Sequence, residues 1–95
     1  MKQVIGGKVY DTETGILVAS DRYWDGNNFE RHGRNQFLYK TKKGNVFVLI
    51  TTLWVGERDK IIPVTKDEAK SLWSSSLIEH EMSYEEAFEE TPEEA

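Results

Sequence analysis

The chain has 95 residues and a formal net charge of -5, with 38% hydrophobic, 12% aromatic and 31% charged residues. This length suits one domain with a small core. The absence of cysteine excludes disulfides and thiolate metal sites. No apolar run approaches the roughly 20 residues of a membrane span, and the N-terminus lacks the apolar region of a signal peptide. We therefore expect a soluble, cytoplasmic single domain over residues 1–90, with a frayed acidic tail at 91–95.

The first third of the chain predicts short strands separated by turns. Residues 3–10 favour extended structure, but two adjacent glycines interrupt them and indicate a turn or a very short hairpin. Residues 11–15 are rich in Asp and Thr, whose side chains bond nearby backbone N–H groups in turns. A strand is expected over residues 16–24, and the Gly- and Asn-rich residues 25–33 predict a loop.

Residues 35–55 predict a β-hairpin around which the rest of the chain is arranged. Two runs rich in β-branched and aromatic residues flank a polar turn at residues 42–45, where Gly44 accepts a positive φ at little cost. The second strand is apolar on both of its alternating faces, and such a strand is usually covered on both sides. Either a second copy of the chain or the last helix together with Trp24 would supply that cover.

A capping box predicts a helix in the C-terminal half. The Thr65 side chain can bond the Glu68 N–H while the Glu68 carboxylate reaches back to Thr65, which starts a helix over residues 66–74. Before it, Pro63 keeps residues 61–64 extended. An apolar stripe at helical spacing faces the core; its members are Ala69, Leu72, Trp73 and Leu77.

A second capping box, at Ser83 and Glu86, opens a short helix over residues 84–90 that forms only if its apolar side chains dock. These elements together predict an α+β fold. The expected core is a small antiparallel sheet of three to four strands built on the central hairpin, with helix 66–74 packed on one face. The last helix is expected at an edge or on the second face.

The charges are unevenly distributed along the chain. Every charged residue from Arg31 to Gly56 is basic, whereas residues 57–95 hold twelve acids against Arg58, Lys60, Lys66 and Lys70. This pattern predicts either internal pairing between a basic hairpin and an acidic C-terminal part, or two faces for two partners.

No site motif for catalysis, metal or cofactor binding stands out, so we expect a protein that is not an enzyme and needs no cofactor. His32 could serve as a general base only with an orienting carboxylate, such as Asp25 or Glu30, and a pocket. The neighbours of His80 are acidic, but adjacent residues do not share a helix face and no second histidine follows at i+4. A hydrolase built on His32 remains the enzymatic alternative.

We expect the chain to bind an unidentified protein partner, or a second copy of itself, through aromatic and arginine side chains, because these make strong interface anchors. The partner-binding residues are Trp24, Phe29, Arg31, His32, Arg34 and Trp54. The alternative is nucleic-acid binding by the basic hairpin, in which cations lie between aromatic side chains. Its residues are Arg22, Arg31, Arg34, Lys40, Lys42 and Lys43.

Four segments carry a resemblance to a known family. They read YDTET, LYKTKKGN, PVTKDEA and SYEEAF, and begin at Tyr10, Leu38, Pro63 and Ser83. The chain resembles a family of small bacterial proteins without an established activity, found also in phages and other mobile elements. Because these motifs are turns, strand edges and helix caps, the resemblance implies no reaction. A mobile-element setting would imply a protein-binding role, including one against host defences.

Overall fold

The computed structural model describes residues 1–21, 34–52, 56–77 and 79–91. Within them the chain is α+β: five antiparallel strands form one sheet, two form a separate hairpin, and short helices cover one face of the larger sheet. The elements are β1 (Lys2–Ile5), β2 (Lys8–Asp11), β3 (Ile16–Ser20), β4 (Arg34–Lys40), β5 (Val46–Thr52), β6 (Lys60–Val64), α1 (Lys66–Ser71), a π-helical turn (Leu72–Ser76), β7 (Glu79–His80) and α2 (Tyr84–Phe88). No helix in this described part is long and apolar enough to cross a membrane.

The central hairpin is formed by β4 and β5, as the sequence predicts. The two strands pair from Arg34 opposite Thr52 to Lys40 opposite Val46. The chain reverses at Gly44, where φ is 88°, and the Thr41 N–H donates to the Asn45 carbonyl over 2.8 Å. The last three predicted residues of the second strand, 53–55, lie outside the described residues.

The sheet has more strands than the sequence predicts. Its order is β6-β5-β4-β3-β7, so β6 and β7 lie at the edges. In β6, Pro63 lies opposite Phe47 of β5. The predicted strand over residues 16–24 is observed as β3, and positions 22–24 lie outside the described residues. The register of β3 shifts between Leu17 and Ala19, and this bulge brings two consecutive residues, Val18 and Ala19, into the core.

The helices and one face of the sheet form the larger core cluster. The Thr65–Glu68 capping box is present in both directions and starts α1. Leu38 and Val48 supply the sheet side of the cluster and Ala69 and Leu77 the helix side, all 4% exposed or less. Burying each of the larger aliphatic side chains, Leu38, Val48 and Leu77, contributes roughly 1.5–3 kcal/mol.

The helix differs from the prediction at its C-terminal end. The α-helical part stops at Ser71 and the chain continues as the π-helical turn. The Ser74 and Ser75 hydroxyls donate to the carbonyls of Lys70 and Ser71 over 2.8 and 2.7 Å. Such bonds from serine back to the preceding turn compete with regular helix geometry.

The second face of the sheet is covered by the β1–β2 hairpin, which neither of the expected covers includes. Gly6 and Gly7 turn this hairpin with φ of 59° and 78°, the left-handed pair that a two-residue turn requires. Tyr10 of β2 packs edge-on against Phe47, with ring centroids 5.5 Å apart, and Phe47 is fully buried. Both faces of β5 are thus covered within the chain, one by the helices and the other by the β1–β2 hairpin.

The last helix, α2, packs on the same face as α1, not at an edge or on the second face. Ala87 and Phe88, each 2% exposed, join the larger cluster. The Ser83 hydroxyl accepts from the Glu86 N–H, as predicted. The helix stops at Phe88 because Glu89 adopts the left-handed conformation.

Candidate functional site

Most of the predicted partner-binding residues belong to two segments that the structure does not describe. Residues 22–33 contain four of them, Trp24, Phe29, Arg31 and His32, and residues 53–55 contain Trp54. Arg34 begins β4, where its backbone pairs with Thr52. The alternative His32, Asp25 and Glu30 site lies wholly outside the described residues.

The strand topology brings the ends of both segments to one end of the sheet. Ser20, the last residue of β3, lies opposite Phe37, and Arg34, the first residue of β4, lies opposite Thr52, the last of β5. Residues 22–33 connect β3 to β4, and residues 53–55 follow β5. Two stretches distant in sequence therefore attach to the sheet side by side, opposite the end that carries the Gly44 turn.

Asp21 extends the pairing of β3 and β4 at this end by using its side chain. Its N–H donates to the Gln36 carbonyl over 3.1 Å, and its carboxylate accepts from the Gln36 N–H over 2.8 Å. Asp21 is only 9% exposed. These two hydrogen bonds to Gln36 fix the position of Asp21, the last described residue before the segment 22–33.

The loop between β5 and β6 is held by a similar side-chain bond. The Asp59 carboxylate accepts from the Thr52 N–H over 2.9 Å, and the Thr52 hydroxyl donates to Glu57 over 3.4 Å. Gly56 has a φ of 89°, which turns the chain back toward β6. Thr52, the last residue of β5, is thereby bonded to two residues that follow the segment 53–55 in the chain.

A shallow groove of about 490 Å³ lies at this end, on the helix side of the sheet. Three residues in register across β4, β5 and β6 form its floor: Gln36, Ile50 and Lys60. Its rim is polar and carries both signs of charge. The other lining residues among those that the structure describes are Asp21, Thr52, Glu57 and Arg58.

No local pattern in the sequence marks the groove floor. Gln36, Ile50 and Lys60 come together only through the registers of two strand pairs. The Asp21 and Asp59 bonds to backbone N–H groups likewise depend on where a distant strand ends. A site formed by neighbours on different strands cannot be predicted from the spacing of residues along the sequence.

One of the cations predicted to bind nucleic acid, Lys40, is instead bonded within the chain. Lys40 is 13% exposed at its side chain, and its ammonium donates to the Glu86 carbonyl over 3.2 Å and to the Glu89 carboxylate over 3.3 Å. Lys42 and Lys43 are exposed at the hairpin tip. Arg22 and Arg31 lie outside the described residues.

The side chain of His80 contacts Trp73 in two ways. Its ring stacks on Trp73 with centroids 3.9 Å apart, and its Nε2 lies 2.8 Å from the Trp73 carbonyl oxygen. Across residues 1–21, 34–52, 56–77 and 79–91, no group of three or more His, Asp or Glu residues could hold a metal ion.

Comparisons with known proteins give no match: no family model, no curated protein and no solved structure is similar to this chain. The resemblance stated above thus remains a prediction made from its motifs.

Proposed function

We propose that this chain is a non-enzymatic interaction domain that recognises a protein partner at the end of the sheet where residues 22–33 and 53–55 attach. One observation supports the proposal: the strands to which both segments are joined end side by side at one end of the sheet. Trp24, Arg31 and Trp54 are of the residue types that dominate binding energy at interfaces, and phenylalanine, as at Phe29, is enriched in interface cores.

The rigid parts around these segments support such a role. The Asp21 and Asp59 carboxylates fix the sheet positions from which the segments start, and a paired sheet lies behind them. Binding loops held by a rigid scaffold lose less conformational freedom when a partner is bound. The groove floored by Gln36, Ile50 and Lys60 adds a mixed polar and apolar surface at the same end of the sheet.

The resemblance to proteins of bacteria and mobile elements suggests what kind of partner to seek. We infer a host regulatory or defence protein. This inference rests on analogy with the family and on no contact in the structure.

The partner experiment compares two double variants. Each removes two positive charges, one variant at the proposed binding end and the other at the hairpin tip at the opposite end of the sheet. Immobilised wild-type chain, Arg31→Ala/Arg34→Ala and Lys42→Ala/Lys43→Ala are exposed to host lysate, and bound proteins are quantified by mass spectrometry. We expect one protein to be retained by the wild type and the Lys42/Lys43 variant, and to fall about tenfold or more with the Arg31/Arg34 variant, as for loss of interface anchors. Isothermal titration calorimetry with that purified protein should then rank the affinities of the three chains in the same order.

Equal retention by all three chains, or equal loss from both variants, would contradict the proposed location. Self-binding through the same end is the other form of the proposal. Sedimentation velocity over a range of concentrations would then show an oligomer that only the Arg31/Arg34 variant disrupts.

Nucleic-acid binding is the second candidate, favoured by the exposed Lys42 and Lys43 at the hairpin tip. Titration of the wild type with single- and double-stranded DNA and RNA at several salt concentrations tests it. Binding that weakens steeply with salt and is lost in the Lys42/Lys43 variant would support it, because phosphate contacts release counterions. No binding at low salt would remove it.

A further inference from the structure

The last helix is too short to be stable alone. It spans five residues, Tyr84–Phe88, and isolated helices of that length do not persist in water. Two buried side chains, Ala87 and Phe88, attach it to the helix-side core. Beyond them Glu89 has a φ of 56°, a costly conformation that glycine usually takes at a helix end.

The C-terminal end of α2 also carries the wrong sign of charge for a helix. Glu89 and Glu90 follow the end at which the helix dipole is negative, and carboxylates there are repelled. Some other part of the molecule must therefore compensate for both the left-handed residue and the two acids.

Three lysines from two other elements provide that compensation. From β4, Lys40 donates to the last-turn Glu86 carbonyl and to Glu89, which places a cation where the dipole favours one. From α1, Lys66 lies 3.3 Å from the Glu90 carboxylate, and Lys70 also pairs with it. The Tyr84 hydroxyl donates to the same carboxylate over 3.4 Å. We call Lys40, Lys66 and Lys70 the lysine clasp.

We propose that α2, with Glu89 and Glu90, is a strap over the helix-side core, and that the lysine clasp makes its closure sensitive to ionic strength. An open cleft of about 70 Å³ borders the strap, and Lys40, Val46, Lys66 and Phe88 are among the residues that line it. Release of the strap uncovers the apolar surface on which Phe88 rests.

Salt separates the two forces that hold the strap. The Debye length falls from about 30 Å at 0.01 M to about 3 Å at 1 M, so exposed ion pairs weaken as salt is added. Apolar docking does not weaken in the same way. A strap held mainly by Ala87 and Phe88 would stay closed, whereas one closed by the clasp opens by local unfolding.

Amide hydrogen exchange on the full chain tests the proposal. The Ala87 and Glu89 N–H groups donate to the Ser83 and Glu85 carbonyls over 3.0 and 2.8 Å, so their exchange reports strap opening. Between 10 mM and 1 M sodium chloride we expect their exchange to accelerate roughly three- to tenfold, as for the loss of a few exposed ion pairs. The β4 and β5 amides serve as the internal reference and remain unchanged.

A pair of matched variants assigns the effect to the clasp. Lys66→Gln/Lys70→Gln should exchange fast at low salt and lose most of the salt dependence. Lys42→Gln/Lys43→Gln removes the same charge from the hairpin tip and should behave like the wild type. If the Lys66/Lys70 variant does not fold, Glu90→Gln replaces it with the same expectation. Salt-independent exchange in the wild type, or equal loosening by the two lysine variants, would overturn the proposal.

Discussion

At the scale of single residues, Gly15 shows how one close approach fixes an amino acid. Its N–H donates to the Asp11 carbonyl over 2.8 Å, which closes the turn between β2 and β3. A Cβ built on Gly15 would lie 2.9 Å from that same carbonyl oxygen and 3.3 Å from the Phe47 ring. The backbone oxygen cannot move aside cheaply, so glycine is required here for space and not for a positive φ.

Gly15→Ala should therefore destabilise the fold by about 1–3 kcal/mol, the usual cost of overpacking. Urea unfolding followed by tryptophan fluorescence measures it. The neighbouring Thr14 is exposed, so Thr14→Ala is the control and should stay within about 0.5 kcal/mol of the wild type. Equal stability of both variants would show that the turn relaxes around the added methyl group.

At the scale of elements, the strap makes stability depend on pH through Glu90. The Lys70 ammonium, with Lys66 beside it, lowers the pKa of the Glu90 carboxyl below its ordinary value, although desolvation opposes this. The same contact raises the pKa of Lys70. A lowered carboxyl pKa gives stability that is present above the ordinary carboxyl range and lost as pH falls through the lowered pKa. The raised lysine pKa keeps the pair intact until strongly alkaline pH.

We expect Glu90→Gln to unfold at a lower temperature than the wild type at pH 7, and the difference to shrink as pH falls through the lowered carboxyl pKa, because the wild-type carboxyl then also becomes neutral. Thermal unfolding by circular dichroism over a series of acidic pH values measures this. Glu13→Gln changes an exposed carboxylate of the β2–β3 turn and should show no such pH-dependent difference. A Glu90→Gln deficit that does not shrink as the pH is lowered would mean that shape, not charge, holds the strap.

The sequence predicts those elements whose formation depends on interactions between residues close together in the chain. The Thr65–Glu68 box, the Gly44 reversal and the paired glycines of β1–β2 each act within a few residues, and all three form as expected. The strand β7 carries no such signal, since Glu79 and His80 are polar and become a strand only because β3 lies beside them. The ion pair between Lys40 and Glu89 joins residues far apart in the chain. Internal pairing of the basic hairpin with the acidic C-terminal part is one of the two alternatives that the charge pattern leaves open, and the pattern names no partners.

At the scale of the whole molecule, the second cover of β5 depends on the N-terminal hairpin. Tyr10, Phe47 and Ile61 form a second core on that face, each 6% exposed or less. No hydrophobic pattern in the first eleven residues assigns them to this face. The sequence therefore predicts that a cover is needed, and only the tertiary structure identifies it.

Deleting residues 1–11 should uncover Phe47 and Ile61, and so cause binding of an apolar dye and self-association that increases with concentration. Dye fluorescence and sedimentation velocity measure the two effects. Val4→Thr is the control, because Val4 is 65% exposed on the outer side of the same hairpin and the cover stays in place. A deleted chain that remains monomeric and dye-free would show that this face needs no N-terminal cover.

Pro63, in the edge strand β6, has a consequence for how copies of the chain behave when crowded. A proline has no N–H, and in an edge strand the vacant position faces outward. Any foreign strand aligned along β6 would meet a missing donor at this position, which discourages the open-ended stacking that leads to fibrils.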